Sequence, residues 1–155
     1  MVKPILQFGY GNLSRGDDAV GPLLLEHVQQ RGDLTRIDLL TDFQLQIEHT
    51  LDLQRRELVI FVDASVSAKP PFDFSRLTPC HDNSYTSHAM SPAALLQVYQ
   101  SVIGETPPPS FLLGIQAQSF ELGESLTAST QANLQQACAF IDRLLKLSVP
   151  QILEH

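Results

Sequence analysis

The chain has 155 residues, 43% of them hydrophobic, with a formal net charge of -7. That length suits one domain with one core, taken as residues 1–150, and no internal repeat asks for a second. The acidic balance and the absence of any Lys/Arg cluster exclude a nucleic-acid surface, which must neutralise phosphate.

Pro4 to Phe8 reads as a short buried strand containing Gln7, too short for a signal segment or a membrane span, so a cytoplasmic protein is expected. Gly9, Gly11 and Gly16 then open a tight turn, and a helix is expected to begin at Asp17 or Asp18. Such strand, turn and helix units usually take anions at the helix N-terminus. Here paired carboxylates stand in that place, which repels phosphate and offers oxygen ligands to a cation. A dinucleotide site is disfavoured further because Ser14 replaces the third glycine of G-x-G-x-x-G. Taken singly, Asp17 or Asp18 is better explained as an N-cap with a favourable dipole interaction, and only convergence with distant residues favours a ligand role.

Leu23, Leu24 and Val28 follow at helical spacing until Arg31-Gly32-Asp33, and Leu34 to Leu40 suits a second strand. Thr41 or Asp42 can cap a second helix burying Phe43, Ile47 and Leu51, with His49 solvated off that stripe. Leu58 to Val62 is an unbroken apolar run, as a central parallel strand buried on both faces requires, and it ends at Asp63. In open α/β sheets a carboxylate at such a strand end faces the ligand crevice, although a turn aspartate explains it equally well.

The long connection from Ala64 to Ala89 holds a short strand between Phe72 and Leu77 and reads as a binding loop or flap. Cys80-His81 is a weak metal pair, since adjacent ligands rarely reach one ion. Ser91 and Pro92 open a helix whose buried face is Leu95, Leu96, Tyr99, Val102 and Ile103, which leaves His88 just before it. Ser110 to Gln116 is another strand. A last helix buries Leu134, Ala137, Ile141, Leu144 and Leu145, with Cys138 as a packing residue. Cys80 and Cys138 are too few for a disulfide framework or a structural zinc site. Residues 151–155 form a tail, and Leu153-Glu154-His155 is compatible with a tag remnant.

Alternating strands and helices imply a single α/β domain, a mostly parallel twisted sheet with helices on both faces. In that fold Asp18, Asp63 and His88 can meet at one sheet edge. Two oxygens and one imidazole suit a divalent first-row metal with open positions, or else a metal-free acid/base site.

Gly9-x-Gly11-Asn12, Asp17-Asp18-x-x-Gly21, Val62-Asp63-Ala64 and Ser87-His88-x-x-Ser91-Pro92, in this order, resemble the hydrogenase maturation endopeptidases. Those enzymes process the large subunit of nickel-iron hydrogenases. Phe111 to Gln116 and Phe120-Glu121-Leu122-Gly123 also resemble the subgroup serving NAD-linked, bidirectional hydrogenases. The resemblance implies a metal-dependent endopeptidase that removes the C-terminal peptide of the large-subunit precursor after nickel insertion. Asp18, Asp63 and His88 would be its catalytic and metal-contacting residues, and the nickel would be supplied by the precursor, with no nucleotide cofactor. The ion, or water polarised by it, would assist attack on the scissile carbonyl. This chain departs from many relatives in carrying Thr41-Asp42-Phe43-Gln44 in place of a Gly-rich segment. A non-proteolytic, nickel-dependent checkpoint or chaperone protein built from the same residues is the alternative, and a nucleotide-binding domain a more distant one.

Overall fold

The apolar runs Ile5 to Phe8 and Leu58 to Val62 are buried end to end and pair with each other at the middle of the sheet. In the computed structural model, which describes residues 2–81 and 90–155, these are strands β1 (Ile5–Tyr10) and β3 (Leu58–Ser65). β2 (Ile37–Asp42), β4 (Phe72–Arg76) and β5 (Ser110–Gln116) complete a sheet of order β2-β1-β3-β5-β4. All neighbours are parallel except β4, which lies antiparallel at one edge. The expected α/β sheet architecture is thus observed.

Helices α1 (Val20–Arg31) and α3 (Ala128–Leu144) cover one face, with Leu24, Leu25, Val28, Ala137 and Ile141 packed on Ile5, Ile60 and Val62. Helix α2 (Pro92–Ile103) covers the other, where Leu95, Leu96 and Tyr99 pack on Leu6, Phe8 and Phe61. The Ser91 hydroxyl accepts from Ala94 N–H at 3.1 Å, so the N-cap read from Ser91-Pro92 is present. The connection from β1 to β2 uses α1 and that from β3 to β5 uses α2, on opposite faces. The strand order therefore reverses between β1 and β3, and a crevice opens at their carboxyl ends.

Several local expectations are corrected. β1 runs on through Gly9 and Tyr10, and β2 is shifted to end at Asp42. Residues Gly16–Ala19 form a 3-10 turn ahead of α1. No second helix buries Phe43, Ile47 and Leu51. These are 72%, 54% and 64% exposed, on and before a 3-10 turn over Ile47–Leu51. The burial there falls to Leu45 and Leu53 instead, because His49 turns inward: its Nδ1 accepts the Gln46 N–H at 2.8 Å and so caps the turn. His49 is only 7% exposed and packs edge-on to Phe8, and is not a solvated side chain. Val102 is likewise exposed, not part of the buried face of α2. Cys138 is half-buried, and burial with the nearby Asp142 charge pushes its thiol up to about 11, as suits a packing residue. Ile152, in the stretch expected to be a tail, is buried under a short helix α4 (Val149–Ile152).

One polar group sits unpaired in this core. Gln7 is completely buried, and among the described residues its amide nitrogen and oxygen have no hydrogen-bond partner. Leaving an amide unpaired costs on the order of 1 to 3 kcal/mol. Gln7→Met, close in volume and without the amide, is expected to raise the urea midpoint by a comparable stability at unchanged slope.

Candidate functional site

The crevice owes its shape to close backbone approach. A Cβ at Gly21, in the first turn of α1, would lie 2.7 Å from the Tyr10 carbonyl oxygen and 2.8 Å from that of Val62. A Cβ at Gly9 would lie 2.5 Å from the Gly21 carbonyl oxygen. The helix start therefore rests directly on the ends of β1 and β3. The turn before it folds back at Gly11 (φ +146°), where a side chain would meet the Asp18 carbonyl oxygen at 2.0 Å.

Asp17 and Asp18 are adjacent and serve opposite ends. Asp17 is completely buried. Its carboxylate accepts from the N–H groups of Gln118 (2.9 Å), Ser119 (3.0 Å) and Thr127 (2.8 Å) and from the hydroxyls of Thr127 (2.9 Å) and Thr130 (2.8 Å). Burial alone would raise its pKa, but these donors outweigh it and hold the carboxyl at about 2. Asp17 thus ties the turn before α1 to the start of α3, where Thr127 is the N-cap. Three backbone bonds add to that tie, from Gly16 N–H to Glu124, from Asp17 N–H to Ser119 and from Gly123 N–H to Ser14.

Asp18 faces the crevice. Its Oδ2 accepts the Asn12 N–H at 2.7 Å, which fixes the carboxylate above the end of β1. Asp63 lies on β3 beside it, and Tyr10, the last residue of β1, stands within hydrogen-bonding reach of Asp63. Burial raises the Asp63 pKa to about 7, and the Asp18 charge adds to the rise against the Tyr10 phenol and the Ala64 N–H, which lower it. The Tyr10 phenol is held well above its ordinary range by burial, then by the charges of Asp63 and Asp18. None of the ion pairs among the described residues involves Asp18 or Asp63. The negative charge here is therefore paired with no Lys or Arg, which is the electrostatic requirement for a cation site.

No family model matches the chain, and no curated protein matches it. Solved structures do. The hydrogenase maturating endopeptidase HybD of E. coli superposes with a TM-score of 0.72 at 25% identity, over 92% of this chain and 91% of that one. The [NiFe] hydrogenase maturation protease HycI of Thermococcus kodakarensis gives 0.68 at 21% identity, over 94% of each chain. The hydrogenase 2 maturation peptidase of Thaumarchaeota archaeon SCGC_AB-539-E09 gives 0.66 at 23%, over 94% of this chain and 100% of that one. The chain thus has the fold of the hydrogenase maturation endopeptidases and is similar to them over nearly its whole length.

Of the expected site residues, Asp18 and Asp63 come within electrostatic reach of each other. His88 lies outside the described residues, and among those described no three His, Cys, Asp or Glu side chains gather as a metal cage. Cys80 is exposed and its thiol is directed at the His81 carbonyl, so this pair adds no ligand to the crevice. Tyr10 was not legible as a site residue, because the first strand was expected to stop before it. In the segment that replaces the family's glycines, Asp42 Oδ2 pairs with His49 Nε2 at 3.1 Å, and the Asp42 carbonyl accepts the Gly11 N–H at 3.0 Å. The crevice wall is thereby fixed without glycine.

Asp63 and Asp17 impose opposite pH dependences on stability. An unfolded aspartate loses its proton near pH ~4. Folded Asp63 keeps its proton to about 7, so its contribution is complete below that unfolded value and lost as pH rises through about 7. Asp17 stabilises the fold above its unfolded value, and that contribution is lost as pH falls towards about 2. In urea titrations, wild type should lose on the order of 2 kcal/mol relative to Asp63→Asn between about pH 5 and about pH 8. Parallel profiles for the two proteins would refute the assignment.

Proposed function

We propose that this protein is an endopeptidase that removes the C-terminal peptide of a nickel-iron hydrogenase large-subunit precursor once nickel is in place, and that it recognises the nickel its substrate carries. The observation that carries this reading is the Asp18–Asp63 pair: carboxylates whose charges oppose each other at the sheet's switch point, with no cationic partner among the described residues. Structural neighbours named as a hydrogenase maturating endopeptidase and a [NiFe] hydrogenase maturation protease support it. No helix among the described residues is long and apolar enough to cross a membrane, and the proposed partner is that precursor, met in the cytoplasm.

On this reading Asp18 and Asp63 supply oxygen ligands to the precursor's nickel, and His88 is the third group that the family resemblance assigns to it. Asn12 N–H orients Asp18, and the Tyr10 phenol orients Asp63 while favouring its ionised form. A nickel-loaded precursor offsets the repulsion between the carboxylates. A nickel-free precursor leaves it in place, which is how docking discriminates between them. The bound ion polarises the scissile carbonyl or a water.

The test is incubation with nickel-loaded and nickel-free precursor, read as loss of the tail by mass spectrometry. Wild type should shorten only the loaded form, and Asp18→Asn should remain folded but lower the rate by at least roughly 100-fold. A variant that trims at the normal rate would overturn the assignment, and a loaded precursor held without shortening would identify a checkpoint protein instead. Tyr10→Phe should lower the rate by about tenfold near neutral pH, with part of the loss recovered at higher pH, because removing the phenol raises the Asp63 pKa further.

A further inference from the structure

A groove leads away from the crevice along the open edge of the sheet. It begins beside Gly11 and Asp42 as a cleft of about 260 Å³. It continues between α1 and β2 as a second cleft of about 580 Å³, sharing Leu13, Pro22 and Thr41 with the first. Leu13 and Phe43 flank its mouth and are 61% and 72% exposed.

β2 is an edge strand, and its register decides which backbone groups are open. The bonds Ile5 N–H to Arg36 carbonyl and Gly11 N–H to Asp42 carbonyl turn residues 36, 38, 40 and 42 towards β1. Leu39 and Thr41 therefore present their N–H and C=O groups outwards, along the groove that their own side chains line. Natural edges are usually blunted by Pro, Lys, a bulge or a covering loop. The Leu39–Thr41 stretch has no Pro or Lys of its own and leads to the candidate site. Among the described residues, the charged side chains lining the groove are Glu26 and Asp42, both acidic.

We propose that this groove holds an extended segment of the polypeptide substrate, which adds to β2 as a further strand through the backbone of Leu39 and Thr41. Outward N–H and C=O groups in strand geometry are matched by another strand's backbone. The acidic lining selects a neutral or basic segment. The groove's end beside Gly11 delivers that segment to Asp18, since the Gly11 turn contacts Asp18 directly. The inference rests on the protease reading given above, and adds where the chain to be cut is gripped.

The test is kinetic and structural. Thr41→Pro removes the outward N–H and leaves the ladder to β1 intact, because that N–H does not face β1. It should raise KM for nickel-loaded precursor about tenfold with kcat within about twofold. Arg76→Pro, at an outward position on the opposite edge strand β4, should leave both unchanged. In Asp63→Asn protein mixed with loaded precursor, hydrogen exchange at the Leu39 and Thr41 amides should slow at least tenfold. An unchanged KM in a folded Thr41→Pro protein, or protection confined to other segments, overturns the groove while wild-type trimming leaves the protease reading standing. Protection at Leu39 and Thr41 in the Asp63→Asn protein, together with a loaded precursor whose mass stays unchanged after incubation with wild type, supports the groove and overturns the protease reading.

Discussion

The crevice depends on a helix that begins closer to its sheet than any side chain would permit. Gly21 sets the first turn of α1 against the carbonyl ends of β1 and β3, and the missing side chain of Gly9 leaves room for the Gly21 carbonyl. A methyl group at either position must lift the helix, since the obstructing atoms are mostly backbone and cannot swing aside. Asp18 stands just ahead of that turn, so the spacing of helix and sheet is also the spacing of Asp18 and Asp63. A packing constraint thereby sets an electrostatic one. Asp63 has its proton affinity raised first by burial and then by Asp18, and both follow from how far α1 sinks onto the strand ends.

Two neighbouring carboxylates show how environment divides a structural from a functional role. Asp17 faces inwards, where a cluster of backbone N–H and hydroxyl donors holds it ionised and ties α1 to the start of α3. Asp18 accepts a backbone N–H from Asn12 and keeps its remaining capacity for the crevice. The internally satisfied acid makes the turn rigid, and the rigid turn presents the less satisfied one. The position of Asp18 is thus fixed by bonds made elsewhere in the fold.

The sheet, its parallel strands and the position of Asp63 at the end of β3, with Asp18 in the turn after β1, were legible because buried strands advertise themselves as apolar runs. The failures share a cause. Phe43, Ile47 and Leu51 have helical spacing, yet His49 supplies an inward ring that caps a 3-10 turn and turns those residues out. Spacing records periodicity but not which polar side chain will find a buried partner. Tyr10 was missed for a related reason: Gly9 reads as a strand terminator, whereas here it is a strand residue made small so that α1 can approach. The role of Asp17 was hidden because its donors lie about a hundred residues further along the chain, at Gln118 to Thr130.

On the proposed reading, the cost of the carboxylate pair has a use. A fold selected for stability alone would place an Arg or Lys beside Asp63, or replace it, since a buried carboxyl that must ionise beside another carboxylate opposes folding at neutral pH. Near pH ~7 Asp63 divides between its protonated and ionised forms. On the proposed reading, the precursor's nickel would displace that proton on entering the crevice and in return relieve the repulsion with Asp18. On that reading a substrate without its metal would do neither, so the repulsion between the two carboxylates would become the energy that distinguishes a finished precursor from an unfinished one. The discrimination can therefore reside in electrostatics already stored in the resting protein, with no need for a separate sensing element or a change of shape.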